Sequence, residues 1–242
     1  MSFEQIIRIT LKYWPMFLRG AGTTLLISIT GTIIGFFIGL LVGIIRSVPI
    51  PESGVKKLIL KCINSIFNIY VEVFRGTPMI VQATVIYYGS AQALGLDMDR
   101  LTAAFLIVSI NTGAYMAEIV RGGIVSIDKG QFEAADAVGM NHMQTMINVI
   151  LPQVIRNILP ATGNEFVINI KDTSVLNVIS VTELFFQTKS IVGNNYKYFE
   201  TFFIASVIYF VMTFTVTRIL RYMERKIDGP ENFTVIGNPM QI

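Results

Sequence analysis

The chain has 242 residues, of which 52% are hydrophobic and only 14% are charged. Soluble domains carry about 25% charged residues, so this chain has too few polar groups to cover a water-facing surface. The composition excludes a soluble globular protein, and the single cysteine, Cys62, excludes an internal disulfide. The net charge of +3 does not indicate a nucleic-acid partner, because the basic residues flank apolar segments.

The apolar segments predict an all-α membrane protein with five transmembrane helices in one domain, residues 1–242. A helix that crosses a bilayer needs about 20 predominantly apolar residues, and five segments are long enough. The predicted spans are 20–46, 58–93, 101–121, an interrupted span at 150–186, and 198–217.

The first span contains glycine at every fourth position, at Gly31, Gly35, Gly39 and Gly43. Residues four apart lie on one face of a helix, and small side chains there allow a second helix to approach closely. We therefore expect this face to be a helix–helix contact.

The second span is too long for one straight crossing. From Leu58 to Ala93 it would extend about 54 Å as a helix, whereas the hydrocarbon core is about 30 Å thick. Pro78 removes a backbone donor and restricts the residue before it. We predict that the helix breaks at Arg75–Pro78.

Basic residues predict the orientation through the positive-inside rule. The loop after the first span and the tail after the fifth span are basic, and the loop near Asp97 and Asp99 is acidic. With five spans, this places the N-terminus outside and the C-terminus in the cytoplasm. Arg8, Lys12 and Arg19 do not obey the rule, and we interpret their segment as an amphipathic entry segment in the outer interface, with Tyr13, Trp14 and Phe17 as its aromatic belt.

The polar segment 128–152 predicts two short helices between the third and fourth spans. Asp128, followed by Gln131, and Asn141, followed by Gln144, resemble helix starts, and Gly139 suits a helix end. On the predicted orientation this loop faces the cytoplasm, where it is expected to dock a soluble partner. The single histidine lies here and has no partner ligands, so no metal site is predicted.

Charged and polar residues on three spans are predicted to lie near the middle of the membrane. Such residues are costly there and usually mark a pathway or a site. The predicted substrate-binding residues are Glu72, Arg75, Asn111, Asn164 and Glu165. Glu72 and Arg75 are close enough to pair with each other, or Arg75 could bind an α-carboxylate and Glu72 an α-amino group. Carboxylates outnumber cations near the pathway, which weakly favours a cationic amino acid.

Three stretches resemble the permeases of ABC importers. Glu133–Ala135, Gly139 and Val149–Pro152 have the spacing of the EAA loop, except that valine replaces isoleucine at position 149. Glu72–Pro78 and Lys171–Ser174 resemble the signatures of polar amino-acid permeases, the histidine, glutamine and arginine group of type I importers.

The resemblance implies a bacterial inner-membrane permease that pairs with a second permease subunit, identical or a sister. It also implies an extracytoplasmic solute-binding protein and an ATPase subunit that holds ATP and Mg²⁺. This chain has no phosphate-binding loop, so it is expected not to be an enzyme and to hold no cofactor. The implied docking residues are Glu133, Ala134, Ala135, Gly139, Met140 and Met143.

Two other classes of function are compatible with a helical membrane protein. An ion-coupled secondary amino-acid transporter would use the intramembrane carboxylates to bind protons or sodium. A membrane scaffold would need no pathway at all. The docking loop disfavours the first class, and the polar residues on three spans disfavour the second.

Overall fold

The computed structural model describes residues 3–51 and 53–228, and this part of the chain is helical with no strands. By length and composition, three helices within these residues are long and apolar enough to cross a membrane: Phe3–Ser47, Arg100–Val125 and Tyr198–Lys226. A bent pair, His142–Ile179 with Leu184–Asn195, could form a fourth span. The elements are α1 (Phe3–Ser47), α2 (Val55–Gly76), α3 (Met79–Leu94), α4 (Arg100–Val125), α5 (Lys129–Ala137), α6 (His142–Thr145), a π-helical turn (Met146–Ile150), α7 (Leu151–Asp172), a 3₁₀ segment (Thr173–Ile179), α8 (Leu184–Asn195) and α9 (Tyr198–Asp228).

The contact between α1 and α4 is built on the four glycines of α1. A Cβ atom on Gly35 would lie 2.7 Å from Thr112 Cβ, and one on Gly43 would lie 2.7 Å from Val120 Cγ1. Gly31 and Gly39 are opposed in the same way by other residues of α4. The partners advance along α4 as the glycines advance along α1, so the two helices are parallel.

The direction of the remaining helices alternates with chain order. Arg46 of α1 contacts Asn68 of α2, whereas Val42, one turn earlier, packs with Val71, so α2 is antiparallel to α1. Helix α7 is antiparallel to α4, because Thr112 contacts Asn169, whereas Gly123, later in α4, faces Ile158, earlier in α7. Helix α9 is parallel to α1. The C-terminal ends of α1, α4 and α9 therefore lie on one side of the molecule.

The predicted entry segment, which contains Arg8, Lys12 and Arg19, is part of α1. Helix α1 continues without interruption from Phe3 for 45 residues. Its first part is held by packing, because Ile6, Ile9 and Phe17 are buried in a cluster with residues of α8 and α9. Apolar residues at helical spacing thus extend the bundle beyond the predicted span.

We predict that Gly39→Ala destabilises the bundle by about 1–3 kcal/mol, because the added methyl group overlaps the α4 backbone and Met116. The matched control is Gly22→Ala on the same helix, where a Cβ meets no atom within 4 Å. The control is expected to be neutral or slightly stabilising. Thermal unfolding of both variants in detergent measures the difference, and equal melting temperatures would contradict a close-packed seam.

Candidate functional site

Glu72 and Arg75 lie in the last turns of α2, directly before the break, and both are exposed. Arg75 Cζ lies 5.6 Å from the centroid of the Tyr115 ring, a cation–π contact with α4. Pairing of Glu72 with Arg75 was one of two alternatives that the sequence left open, and within the described residues the two form no ion pair. The aromatic ring holds the guanidinium instead, which leaves the Glu72 carboxylate available to another cation.

The break between α2 and α3 lies at the predicted position and is stabilised by one side chain. Pro78 has no N–H, so the Phe74 carbonyl loses the donor that an unbroken helix would give it. Gln82 replaces this donor: its Nε2 atom lies 2.9 Å from Phe74 O and 2.9 Å from Thr77 O. The sequence interpretation did not include Gln82, although its place four residues after a proline was a usable signal.

Asn111 supports this break. Its Nδ2 atom donates to Gln82 Oε1 at 2.9 Å, and both side chains are buried. The same Nδ2 atom lies 3.5 Å from Phe74 O, so its N–H groups are directed at acceptors inside the protein. Substrate binding by Asn111 stays a prediction, and it would rely on the Oδ1 atom. Asn111 fixes the position of the break and, through it, the position of Arg75.

Asn164 and Glu165 are neighbours on α7 that lie in different surroundings. Asn164 is exposed, whereas Glu165 is only 7% exposed. Within residues 3–51 and 53–228, no hydrogen bond or ion pair binds the Glu165 carboxylate. A buried carboxylate without a cation is costly within a membrane protein, so Glu165 stays a candidate site residue. Helices α2 and α7 both pack on α4.

An ion-pair cluster that was not predicted lies near the end of α4. Arg46 donates to Glu118 Oε1, and Arg121 donates to Glu118 Oε2 at 2.9 Å. Arg46 Nε also donates to Asn68 Oδ1 at 2.9 Å, so the cluster joins α1, α2 and α4. Glu118 is thus neutralised by two guanidinium groups, which removes one carboxylate from the excess that favoured a cationic substrate.

Two further buried polar groups hold the helices together. Asn169 Nδ2 donates to Thr32 Oγ1 at 2.9 Å and to Thr112 Oγ1 at 3.0 Å, so one amide joins α1, α4 and α7. Glu183 is completely buried and caps α8 by accepting from the Phe186 N–H at 2.7 Å. Sequence patterns gave little sign of the Asn169 contacts, because Thr32 and Thr112 are far from Asn169 in the chain.

The loop after α4 contains two capped helices, as predicted. Helix α5 starts at Asp128, whose side chain accepts from the Gly130 N–H. It ends in a left-handed residue, Gly139, with φ 80°, followed by a Met140 N–H bond to the Ala135 carbonyl at 3.0 Å. This arrangement is a Schellman motif. Helix α6 begins with a complete capping box formed by Asn141 and Gln144.

The side chains of this loop divide into an anchored set and an exposed set. Ala135 and Met146 are buried, and Phe132 packs against the cluster formed by α4, the π-helical turn and α7. Because Ala135 is buried within the chain, it is not placed to contact a docking partner directly. The exposed set includes Glu133, Ala134, Val138, Gly139, Met143 and Ile147, with Met140 partly exposed.

Comparisons with known proteins give a consistent family. Residues 58–229 match the family model described as "Binding-protein-dependent transport system inner membrane component". The chain is 39% identical over 213 residues to the glutamine transport system permease protein GlnP of Escherichia coli, covering 88% of this chain and 93% of that one. It is 34% identical over 220 residues to the arginine transport system permease protein ArtQ of Bacillus subtilis, covering 91% and 96%.

A solved structure supports the same conclusion. The crystal structure of an amino acid ABC transporter with histidines aligns with a TM-score of 0.78 and 38% sequence identity, covering 93% of this chain and 99% of that chain. The fold, the family match and the relatives agree over most of the sequence. The chain therefore belongs to the family of binding-protein-dependent transport system inner membrane components, and it is a permease subunit of an amino-acid ABC importer.

Proposed function

We propose that the α5–α6 loop docks a separate ATPase subunit, which holds ATP and Mg²⁺ while this chain holds no cofactor. The observation that carries the proposal is the loop itself: it is capped and anchored to α4 and α7, yet it exposes Val138, Met143 and Ile147. Exposed methionine adapts to a moving partner surface. The proposed docking residues are Glu133, Ala134, Gly139, Met140 and Met143, with Ala135 acting through internal packing.

A second permease subunit, identical or a sister, completes the translocation pathway in this proposal. Glu72 and Arg75 are exposed on a single chain, and charged side chains that face lipid are costly. A facing subunit would provide them with polar surroundings. An extracytoplasmic solute-binding protein would deliver the amino acid to the outer end of this pathway.

Five crossings of the bacterial inner membrane, with the N-terminus outside and the C-terminus in the cytoplasm, fit the alternating helix directions. The α2–α3 unit returns the chain between the parallel helices α1 and α4. The ends of α1 and α9, which are basic, lie on the same side as the α5–α6 loop. The positive-inside rule assigns that side to the cytoplasm, where an ATPase would bind. The whole chain then forms one transmembrane domain.

The substrate in this proposal is a polar amino acid, with arginine, lysine and histidine as the cationic candidates. Arg75 would bind the α-carboxylate, and the free carboxylate of Glu72 would bind the α-amino group. Glu165, buried and unpaired among the described residues, would bind a cationic or donor-rich side chain. Asn164 is exposed and could contact the same ligand. The neutralised Glu118 reduces the electrostatic preference for a cation, so glutamine is the essential comparison substrate.

Alternating access would follow from the docking geometry. ATP-driven closure of two ATPase subunits would draw the two α5–α6 loops together and open the pathway outward. Hydrolysis would return the helices to an inward-open arrangement. The loop is fixed to α4 and α7 through the cluster that contains Phe132 and Met146, so a displacement of the loop would move both helices.

The experiment that tests this function measures uptake in proteoliposomes that contain the permease, the ATPase and the binding protein. Radiolabelled glutamine and arginine are compared with and without ATP, and with an ionophore that removes ion gradients. ATP-dependent uptake that survives the ionophore is the expected result. Uptake that needs an ion gradient and no ATP would overturn the proposal in favour of an ion-coupled secondary transporter.

We predict that Glu72→Gln lowers the apparent affinity for substrate at least about tenfold, because a hydrogen bond to a charged group contributes about 1.5–3 kcal/mol. Assembly with the ATPase should persist, since Glu72 is exposed and makes no ion pair with the described residues. The control is Glu4→Gln at the far end of α1, which removes the same charge from an exposed position. Unchanged uptake kinetics in Glu72→Gln would exclude this residue from the site.

We predict that Gly139→Asp uncouples ATP hydrolysis from transport without preventing membrane insertion. The matched control is Gly139→Asn, since both residues tolerate the left-handed backbone at φ 80° and differ mainly in charge. The new carboxylate would add negative charge beside Asp136 on the proposed docking surface. ATPase activity and uptake are measured on the same vesicles. A normal ratio of transport to hydrolysis in Gly139→Asp would contradict the docking assignment.

A further inference from the structure

A cavity of about 380 Å³ lies where the end of α1 and the end of α4 meet the first half of α2. It is separate from the break that holds Arg75 and from Glu165. We call it the basic cavity. Its polar lining consists of Arg46, Lys61, Asn64, Ser65, Asn68 and Arg121.

The basic cavity carries an excess of positive charge. Arg46 and Arg121 share a single carboxylate, Glu118, and Lys61 forms no ion pair with any described residue. Three cations against one carboxylate leave two positive charges uncompensated. An anion is the ligand class that this charge favours.

The guanidinium groups are held in place with donors to spare. The hydrogen bonds within residues 3–51 and 53–228 use Nε and Nη1 of Arg46 and Nε and Nη2 of Arg121. Arg46 Nη2 and Arg121 Nη1 are not used by them. Two fixed arginines with unused N–H groups suit a phosphate, which accepts charge-assisted hydrogen bonds from several donors.

Asn64 adds a second, independent requirement. Its Oδ1 atom is buried and accepts no hydrogen bond in the described part of the chain. A buried acceptor without a donor is costly, and a bare phosphate dianion cannot supply the missing proton. A ligand with both a phosphate and a hydroxyl group would satisfy the arginines and Asn64 together.

The surface next to the basic cavity is apolar. Helix α2 turns 100° per residue, which places Lys61 and Ser65 on one face and Cys62, Ile66 and Ile69 about a quarter turn away. Ile66 and Ile69 are 65% and 59% exposed. A ligand whose headgroup occupies the cavity could therefore lay acyl chains along this neighbouring face.

We propose that the basic cavity binds the headgroup of an anionic phospholipid that carries hydroxyl groups, such as phosphatidylglycerol. Basic cavities between membrane helices at the cytoplasmic surface suit anionic headgroups. The assignment to the inner leaflet rests on the orientation proposed above. The binding itself depends neither on that orientation nor on transport, so the lipid assay and the uptake assay can fail independently.

The test uses the full-length permease in detergent and measures the dissociation constant of dioctanoyl-phosphatidylglycerol by native mass spectrometry. Lys61→Gln should weaken binding about tenfold, the loss expected for one charge-assisted hydrogen bond. The matched control is Lys56→Gln, which removes the same charge from the same helix outside the cavity and should leave binding unchanged. Asn64→Ala should weaken binding of phosphatidylglycerol but not of dioctanoyl phosphatidic acid, whose headgroup has no glycerol hydroxyls.

Three results would overturn the proposal. Equal losses in Lys61→Gln and Lys56→Gln would show a dependence on total charge without a site. Displacement of the lipid by inorganic phosphate at an equal concentration would identify a site for a free anion. Unchanged lipid binding in Lys61→Gln, combined with lost co-purification of the ATPase subunit, would make the cavity a protein contact.

Discussion

The close approach of α1 and α4 is the contact on which the other helices depend. Four glycines on one face of α1, from Gly31 to Gly43, let its backbone contact α4 from Val108 to Val120. Helices in lipid gain little from hydrophobic exclusion, so packing at short distance has to provide the attraction. Helices α2 and α7 then pack against this pair, α9 packs against α1 and α7, and the α5–α6 loop extends from the end of α4.

Polar side chains in this bundle fall into two groups. Gln82, Asn111, Asn169 and Glu183 are buried and have their hydrogen bonds inside the protein. Asn111, Asn169 and Glu183 each bind a residue of another helix at least 26 residues away in the chain, and the cost of leaving them unpaired fixes the arrangement. Glu72 and Glu165 have no such partner among the described residues, which is why they are the proposed ligand contacts. Whether a polar side chain has a hydrogen-bond partner inside the protein therefore distinguishes the structural residues from the proposed ligand contacts. Burial alone does not distinguish them, because Glu165 is also buried.

The sequence predicted where helices begin and end better than it predicted which residues of different helices contact each other. Pro78 located the break, and cap residues located α5 and α6, because these signals are local in the chain. The hydrogen bond of Asn111 to Gln82 and the burial of Ala135 were not predicted, because each depends on another helix or on which face is buried. The ion pair of Glu118 with Arg46 was not predicted for the same reason, because Arg46 lies on another helix.

The glycine seam, the α1 face formed by Gly31, Gly35, Gly39 and Gly43, does not by itself fix how far α1 is shifted along α4. A pattern that recurs every four residues matches itself again when α1 slides along α4 by four residues, about 6 Å, so glycine alone leaves the register ambiguous. Two polar attachments remove the ambiguity: Asn169 binds Thr32 and Thr112 at one level, and Arg46 binds Glu118 at another. Such a slip would break both at once. The seam therefore provides adhesion, and the polar attachments at two depths select a single alignment.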